Sequence, residues 1–270
     1  MNDVDLEKAI NDSGFPLQLG LQISAQTRSG DWRVLLSEHP WRDPLTGDEK
    51  FIDFVLHGKT CQSLVVECKR ARDTEWLFLR EPTAGLQENR LITRARVVAK
   101  PENGRPQIDE WTNVPCIPGS PIAQYCVIRK NKQRSQELLE RTAAEVVRAT
   151  EELARQELAI FTKTGRRLSR VYTPIIVTTA QMFICDADYG KIDLESGEVA
   201  GVDITPVSLV RFMNTLSAVD AALSVTRLEG LAGQAERGVI VIQAKAFLSV
   251  LAKWDLGTLP HPLPTALFGD

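Results

Sequence analysis

The sequence contains little of what zinc sites, redox centres and ATP sites are built from. Only three histidines occur among 270 residues, and they do not stand at the spacing of a zinc site. The five cysteines are odd in number and form no C-x-x-C pair, so we expect reduced thiols rather than a disulfide framework. No G-x-x-x-x-G-K-[ST] pattern is present. Zinc binding, thiol redox chemistry and ATP use are therefore not indicated.

Long apolar runs are also missing. The longest candidates are interrupted by Pro174, Thr178 and Asp186, well short of a membrane span. The first five residues are acidic and lack the basic and apolar blocks of a signal peptide. The hydrophobic content of 43% is ordinary for a globular protein. We therefore expect a cytoplasmic protein with no membrane partner.

The chain has no excess of positive charge, because 32 Lys and Arg stand against 35 Asp and Glu. Basic residues nevertheless cluster at three places along the sequence. Such clusters are usually solvated surfaces, and they matter for function only if the partner is a polyanion. The candidates for contact with nucleic-acid phosphates are Arg70, Arg72, Arg129, Lys130, Lys132, Arg166, Arg167 and Arg170.

The most informative feature that is present is a predicted β-hairpin with charged residues at matching positions. Residues 51–57 and 63–69 are short apolar runs separated by a turn-rich segment of hairpin length. If the hairpin is symmetric, Asp53 lies opposite Glu67, with about 5 Å between the Cβ atoms. Lys69 shares their face because side chains on a strand alternate with period two. The pattern predicts two carboxylates and one ammonium on a single patch.

Two carboxylates in an apolar hairpin need compensation. They repel each other, so either a shared proton or a bound cation is expected. Mg²⁺ typically takes one or two carboxylates together with waters and phosphate oxygens. A neighbouring lysine could position or deprotonate an attacking water, or neutralise charge in the transition state. This combination suits the hydrolysis of phosphodiester bonds.

The hairpin resembles that of the PD-(D/E)XK nuclease superfamily, which includes many restriction and repair nucleases. Asp53 matches the aspartate of the motif, Glu67 its acidic residue and Lys69 its lysine. Residues 38–47 also resemble the loop that leads into the aspartate strand in a bacterial branch of this superfamily. Ile52 stands where the motif has proline, a common departure. The resemblance implies a Mg²⁺-dependent endonuclease that also accepts Mn²⁺, acts on DNA rather than RNA, and serves restriction or defence.

The resemblance also implies roles for individual residues. Asp53 and Glu67 would hold the metal, Lys69 would position the water, and the backbone carbonyl at Cys68 would be a further ligand. The Cys68 side chain should point to the opposite face, because it stands between two residues that share one face. Some nucleases of this kind place an extra acidic residue on their first helix. Glu7 is the first candidate for it, although a glutamate there can equally complement the helix dipole.

A competitor for that extra acidic role is Glu38, on the predicted first strand. Cutting both strands of a duplex would require a homodimer or two binding events. Two other functions stay open on the sequence alone. One is a nuclease-like protein that binds nucleic acid or a partner without cutting, since a fold does not guarantee its chemistry. The other is a metalloenzyme that does not act on nucleic acid.

The order of predicted elements extends the resemblance beyond the motif. We predict an α/β (α+β) fold with a restriction endonuclease-like core, in which helices flank a mixed sheet in the order α-β-β-β-α-β. The core would span about 4–187 of a single domain over 1–270, with an insertion at 73–123 and a C-terminal extension at 188–270. The predicted elements are a helix at 4–11, a strand at 32–37, the hairpin, a long helix at 133–161, strands at 171–179 and 181–186, a polar hairpin at 192–202, an edge strand at 239–243 and a closing helix at 246–254.

Overall fold

The chain forms a mixed α/β structure with two β-sheets and flanking helices. The computed structural model describes residues 3–58, 62–80, 90–98, 108–131, 133–134, 139–164, 168–215 and 236–256. The helices are α1 (Asp3–Asp12), α2 (Phe15–Arg28), α3 (Leu139–Thr164) and α4 (Phe247–Lys253). The strands are β1 (Trp32–Arg42), β2 (Glu49–Gly58), β3 (Gln62–Lys69), β4 (Thr74–Leu79), β5 (Arg90–Val98), β6 (Ile108–Ile117), β7 (Ile122–Ala123), β8 (Tyr125–Lys130), β9 (Gln133–Arg134), β10 (Leu168–Thr178), β11 (Gln181–Asp186), β12 (Asp203–Val207), β13 (Leu209–Thr215), β14 (Glu236–Gln243) and β15 (Asp255–Leu256).

The larger sheet has the strand order β1-β2-β3-β10-β14-β13-β7. Strands β1, β2 and β3 form an antiparallel meander, whereas β3, β10 and β14 run parallel to one another. Strand β5 also pairs with the start of β10 and with β6, which in turn pairs with β15. The predicted hairpin therefore lies beside a parallel centre that is covered on both faces.

The smaller sheet has the order β12-β11-β4-β8-β9, and two of its strands follow closely along the chain from strands of the larger sheet. Strand β3 leads into β4, and β10 leads into β11, after only a few residues each. These two segments cross from the larger sheet into the smaller one side by side. They pair in parallel before this crossing, as β3 with β10, and again after it, as β4 with β11. The crossing therefore creates a corner at the carboxyl ends of β3 and β10.

Two hydrophobic clusters lie on opposite faces of the larger sheet. One contains the buried stripe of α3, including Ala143 and Val147, together with Val55 and Ile176 of the sheet and Phe78 of the smaller sheet. Helix α3 carries this stripe because its apolar residues recur at the spacing of one helical face. The other cluster lies beneath α2 and α4. Among the described residues, no helix combines the length and the apolar composition that a bilayer crossing requires.

The hairpin has the predicted register over the part that is paired. Phe54 pairs with Val66, and the pairing continues to His57 with Ser63, which places the symmetry point where the sequence predicted it. The turn residues 59–61 lie outside the described residues. The ladder ends at Phe54 and Val66, so the two strands separate just before the charged residues.

Several elements differ from their predictions. Helix α2 was not predicted, because Gly14, Pro16 and Gly20 interrupt the apolar pattern. In the structure Pro16 lies in the first turn, where a missing N–H is tolerated, and Gly14 precedes the helix with φ of 86°. Helix α3 begins at Leu139 rather than at 133, since residues 133–134 pair with β8 instead.

The C-terminal predictions also need correction. Strand β14 is not an edge strand, because it lies between β10 and β13. Its continuous apolar run, Val239–Ile242, is what a strand covered on both faces requires. Residues 192–202 contain a reverse turn, in which the backbone N–H of Asp193 donates to Glu198 O at 2.9 Å, but no strand pairs there. The strand that pairs with β11 is β12.

The segment at 73–123 was predicted to be an insertion outside the core, yet part of it is central. Strand β4 lies in the middle of the smaller sheet, and both Trp76 and Phe78 are buried. The Phe78 ring contacts that of Phe212 on β13 edge to face, with 6.4 Å between the centroids. These aromatic side chains join the two sheets.

We expect Phe78→Ala to destabilise the protein by about 3–5 kcal/mol, because truncating a fully buried phenylalanine removes apolar contacts and leaves a cavity. Urea unfolding followed by far-UV circular dichroism measures this. The matched control is Phe15→Ala on α2, where the ring is 57% exposed and the change should stay within about 0.5 kcal/mol. Equal effects of the two substitutions would mean that β4 does not belong to the core.

Candidate active site

Asp53, Glu67 and Lys69 lie where β2 and β3 separate. Asp53 Oδ2 accepts a hydrogen bond from the backbone N–H of Cys68, with 2.6 Å between N and O. The Cys68 N–H is available for this bond because the β2–β3 pairing ends at Phe54 and Val66. Lys69 Nζ lies 2.6 Å from Glu67 Oε1. The structure therefore brings together the two carboxylates and the ammonium that the sequence predicted.

The side chain of Glu67 points toward α3. It lines a cavity of about 60 Å³ together with Val146 of α3, and Val65 beside it belongs to the cluster under that helix. Lys69 shares this face because it is two residues further along the strand. The α3 residue Glu145 is close enough to raise the pKa of Lys69. The site thus lies on the α3 face of the sheet.

Cys68 would contribute to a metal site through its backbone carbonyl. Its thiol packs against the cluster on the opposite face and also hydrogen-bonds to Asp53; burial, followed by the charges of Asp53 and Glu67, raises its pKa well above the usual range. Its N–H points toward β2, where it meets Asp53. The N–H and C=O of one strand residue point to the same edge, so its carbonyl also faces the Asp53 side. The carbonyl of Lys69 faces the other edge and accepts from the Thr179 N–H at 3.2 Å.

The electrostatics of the site show an excess of negative charge. Burial raises the pKa of Asp53 to about 7, and the carboxylates of Glu67 and Glu38 contribute to the shift, against the hydrogen bond from Cys68 and the charge of Lys69. Burial alone would lower the pKa of Lys69, but Glu67 and Asp53 outweigh it and raise that pKa. Three carboxylates, those of Asp53, Glu67 and Glu38, therefore lie near one another, with Lys69 as the lysine that acts on Asp53. A bound cation would relieve this repulsion.

The sequence did not assign Gln18 to the site, and it gave Glu38 only as the second candidate for the extra acidic residue. Gln18 of α2 is buried, and its side-chain amide donates to Asp53 O at 2.9 Å and also to the Glu38 carboxylate. Glu38 lies between Ser37, which pairs with Phe54, and His39, and so stands beside Asp53. Its φ of 48° lies in the left-handed region, which non-glycine residues rarely adopt. The surrounding contacts hold a third carboxylate at the site.

Glu7, the first candidate for that acidic role, lies exposed on α1. The signal that could have found Gln18 is an amide within the buried face of α2, between Leu21 and the helix start. This signal was missed because helix α2 itself was not predicted. The structure thus places Glu38, rather than Glu7, in contact with the residues that hold Asp53.

The predicted phosphate-binding residues have different surroundings. Arg70 and Arg72 contact Asp12 at the end of α1, at 3.3 and 2.7 Å, and the Arg72 side chain is 53% exposed. Arg129 pairs with Glu75 on the neighbouring strand, and Lys130 follows it on β8. Lys132, Arg166 and Arg167 lie outside the described residues.

Arg170 needs a correction, because it is an internal ion-pair partner. Its guanidinium lies 2.6 Å from Glu157 Oε1 and 2.6 Å from His57 Nδ1, and its side chain is only 13% exposed. Burial and the charge of Arg170 lower the pKa of His57 to about 4. This cluster supports the junction of β2, β10 and α3 rather than a nucleic-acid surface.

A second ionic network fixes α3 above the site. Asp43 is completely buried and lies 3.1 Å from both Lys50 Nζ and Arg148 Nη2. Lys50 also lies 3.0 Å from Glu145, the α3 residue that influences Lys69. These ion pairs connect the segment between β1 and β2 to helix α3. This network positions the α3 side of the site.

No family model, curated protein or solved structure matches the chain. Within the part of the chain that the structure describes, no group of three or more His, Cys, Asp and Glu side chains is arranged to hold a metal ion. The two carboxylates and one backbone carbonyl nevertheless fit Mg²⁺, which commonly takes one or two carboxylates and keeps several waters. The surplus negative charge at Asp53 fits the same ion.

We expect Asp53→Asn to make the metal-free protein more stable at high pH. The folded carboxyl binds its proton up to about pH 7, whereas an unfolded aspartate releases it near pH 3.9, to within about a unit. The folded state holds more protons in this window, so its stability falls as pH rises from about 4 to about 7. The amide carries no charge and removes that dependence, a difference on the order of a few kcal/mol.

Urea unfolding in EDTA at pH 5 and pH 8 measures the effect, with Asp203→Asn on an exposed strand as the matched control. The stability difference between Asp53→Asn and wild type should widen from pH 5 to pH 8. A constant difference would contradict the raised pKa of Asp53.

Proposed function

We propose that this protein is a metal-dependent nuclease that hydrolyses phosphodiester bonds, acting as a Mg²⁺-dependent DNA endonuclease. The observation that carries the proposal is the meeting of Asp53, Glu67 and Lys69 at the point where β2 and β3 separate. When bound, Mg²⁺ or Mn²⁺ would supply Lewis-acid activation of the phosphate and of a water. The restriction endonuclease-like core, with its helix, three strands, long helix and strand, belongs to the same proposal.

Each residue has a role that its position suits. Asp53 and Glu67 offer carboxylate oxygens, and the Cys68 carbonyl faces the same edge as the Asp53 side chain. Lys69 keeps its proton, because the surrounding carboxylates raise its pKa. A protonated lysine would orient the attacking water and neutralise charge on the transition state rather than act as a base. Glu38 would add negative charge to hold the cation.

The substrate assignment rests on the cations beside the site. Arg70 follows Lys69 directly and Arg72 comes two residues later, and both would exchange their contacts with Asp12 for contacts with phosphates. We propose DNA as the substrate, action in the cytoplasm, and a restriction or defence role. Cleavage of both strands would need a homodimer or two successive binding events.

We expect purified protein to cleave plasmid DNA with Mg²⁺ or Mn²⁺ and to lose this activity in EDTA. Asp53→Asn, Glu67→Gln and Lys69→Met should each lower the cleavage rate by at least about a hundredfold, because each removes a group that acts on the transition state. Gel electrophoresis of supercoiled and linear DNA measures the rate. The matched controls are three exposed residues, changed as Asp203→Asn, Glu198→Gln and Lys191→Met.

The outcomes separate the candidate functions. Cleavage that persists in EDTA or in Asp53→Asn would overturn the metal assignment. Salt-dependent DNA binding without cleavage under any metal would instead support a nuclease-like binding protein. No affinity for DNA or RNA would favour a metalloenzyme with another substrate.

A separate comparison decides which acidic residue assists the metal. We expect Glu38→Gln to raise the Mg²⁺ concentration for half-maximal cleavage by about tenfold, because it removes a charge held beside Asp53. Glu7→Gln should leave this concentration unchanged, since Glu7 is exposed on α1. A Mg²⁺ titration of both variants provides the measurement. The reverse result would assign the acidic role to α1.

A further inference from the structure

A cavity of about 440 Å³ lies at the corner where the two sheets meet. It is lined by residues from the two crossings, β3 to β4 and β10 to β11, and from the end of β8. Its size is within the range of small-ligand sites, about 300–1,000 Å³. The lining residues are Ala71, Asp73, Thr74, Glu75, Asn131, Thr179 and Gln181. None of them is used by the proposed hydrolysis.

The cavity adjoins the candidate active site through the backbone. Thr179 lines it, and the Thr179 N–H donates to the carbonyl of Lys69 at 3.2 Å. The Thr179 hydroxyl also bonds to both the N–H and the carbonyl of Ala71, at 2.8 and 3.0 Å. Ala71 lies between Arg70 and Arg72. A nucleotide whose phosphate lies at Lys69 would therefore have its neighbour within reach of this corner.

The backbone of the cavity is held in an unusual conformation. Asp73 and Asn131 both have φ of 49°, in the left-handed region, and the N–H of Asn131 donates to Asp73 O at 3.0 Å. Both side chains are exposed at the cavity. Aspartate and asparagine tolerate this conformation better than most residues. The backbone hydrogen bond between them places two polar residues side by side at one wall.

The chemistry of the lining disfavours phosphate. Asp73 and Glu75 are acidic, and the charge of Glu75 is already balanced by Arg129. A phosphate placed there would be repelled by Asp73. The amides of Asn131 and Gln181 instead offer both donors and acceptors. Such groups recognise the edges of nucleobases, where a carboxylate accepts from an amino group and an amide can both donate and accept.

We propose that this corner cavity binds a nucleobase that carries an exocyclic amino group, next to the phosphate that is cut. The proposal rests on the proposed nuclease function and adds a substrate class to it. A base inside a duplex cannot enter such a cavity, so the base must be unpaired or extruded, which costs least in single-stranded or mismatched DNA. Thymine lacks the amino group, so the cavity prefers cytosine to thymine at otherwise equal backbone contacts.

The test compares the affinity for labelled oligo-dC and oligo-dT of equal length, by fluorescence anisotropy in EDTA at fixed salt. We expect the wild type to bind oligo-dC about tenfold more tightly than oligo-dT, the size of one good base contact. Asp73→Asn and Gln181→Ala should each reduce this preference, while affinity for oligo-dT stays within about twofold because phosphate contacts are kept. Matched controls are Asp203→Asn and Gln26→Ala, both at exposed positions.

The outcomes separate this cavity from the nuclease function. A wild type without a preference for oligo-dC, or a preference that survives in both cavity variants, overturns the cavity proposal. Plasmid cleavage alongside that result leaves the nuclease function standing. A preference that the variants abolish, in a protein that cleaves nothing under any metal, supports the cavity and overturns the nuclease function.

Discussion

Strands β3 and β10 pair in parallel from Gln62 with Val171 to Lys69 with Thr178, and most of the structure is organised around this pairing. It joins the antiparallel meander to the β14 half of the larger sheet. Both strands bury apolar residues on each face, so α3 covers one side and α2 with α4 the other. The same two strands then cross into the smaller sheet. The candidate active site and the corner cavity both lie where this pairing ends, which follows from open positions at the carboxyl ends of parallel strands.

The site depends on a balance between burial and charge. Asp53 is held from both sides, because its carboxylate accepts from the Cys68 N–H and its backbone carbonyl accepts from Gln18. Neither contact neutralises its charge. Lys69 pairs with Glu67 and leaves Asp53 and Glu38 without an equal countercharge. The left-handed backbone at Glu38 keeps a third carboxylate beside Asp53. Such an arrangement is suited to holding a cation.

The sequence predicted the parts of the fold that depend on local pattern. The hairpin register followed from two apolar runs about a symmetric turn, and the stripe of α3 followed from helical spacing. Helix α2 was missed because glycine and proline mask a helix that tertiary packing stabilises. Strand β14 was placed at an edge because periodicity does not reveal strand order. Gln18 could not be assigned, since its contacts with Asp53 and Glu38 join residues far apart in the sequence. The restriction endonuclease-like core stays a prediction.

The position of Cys68 has a consequence for chemical reactivity. In sequence Cys68 lies between Glu67 and Lys69, yet its thiol packs against the opposite hydrophobic cluster, and burial and the neighbouring carboxylates raise its pKa. Oxidants and alkylating reagents attack the thiolate, which this environment suppresses. The neighbouring carboxylates and lysine contain no sulfur. The hairpin should therefore keep its structure under oxidative conditions that modify exposed cysteines.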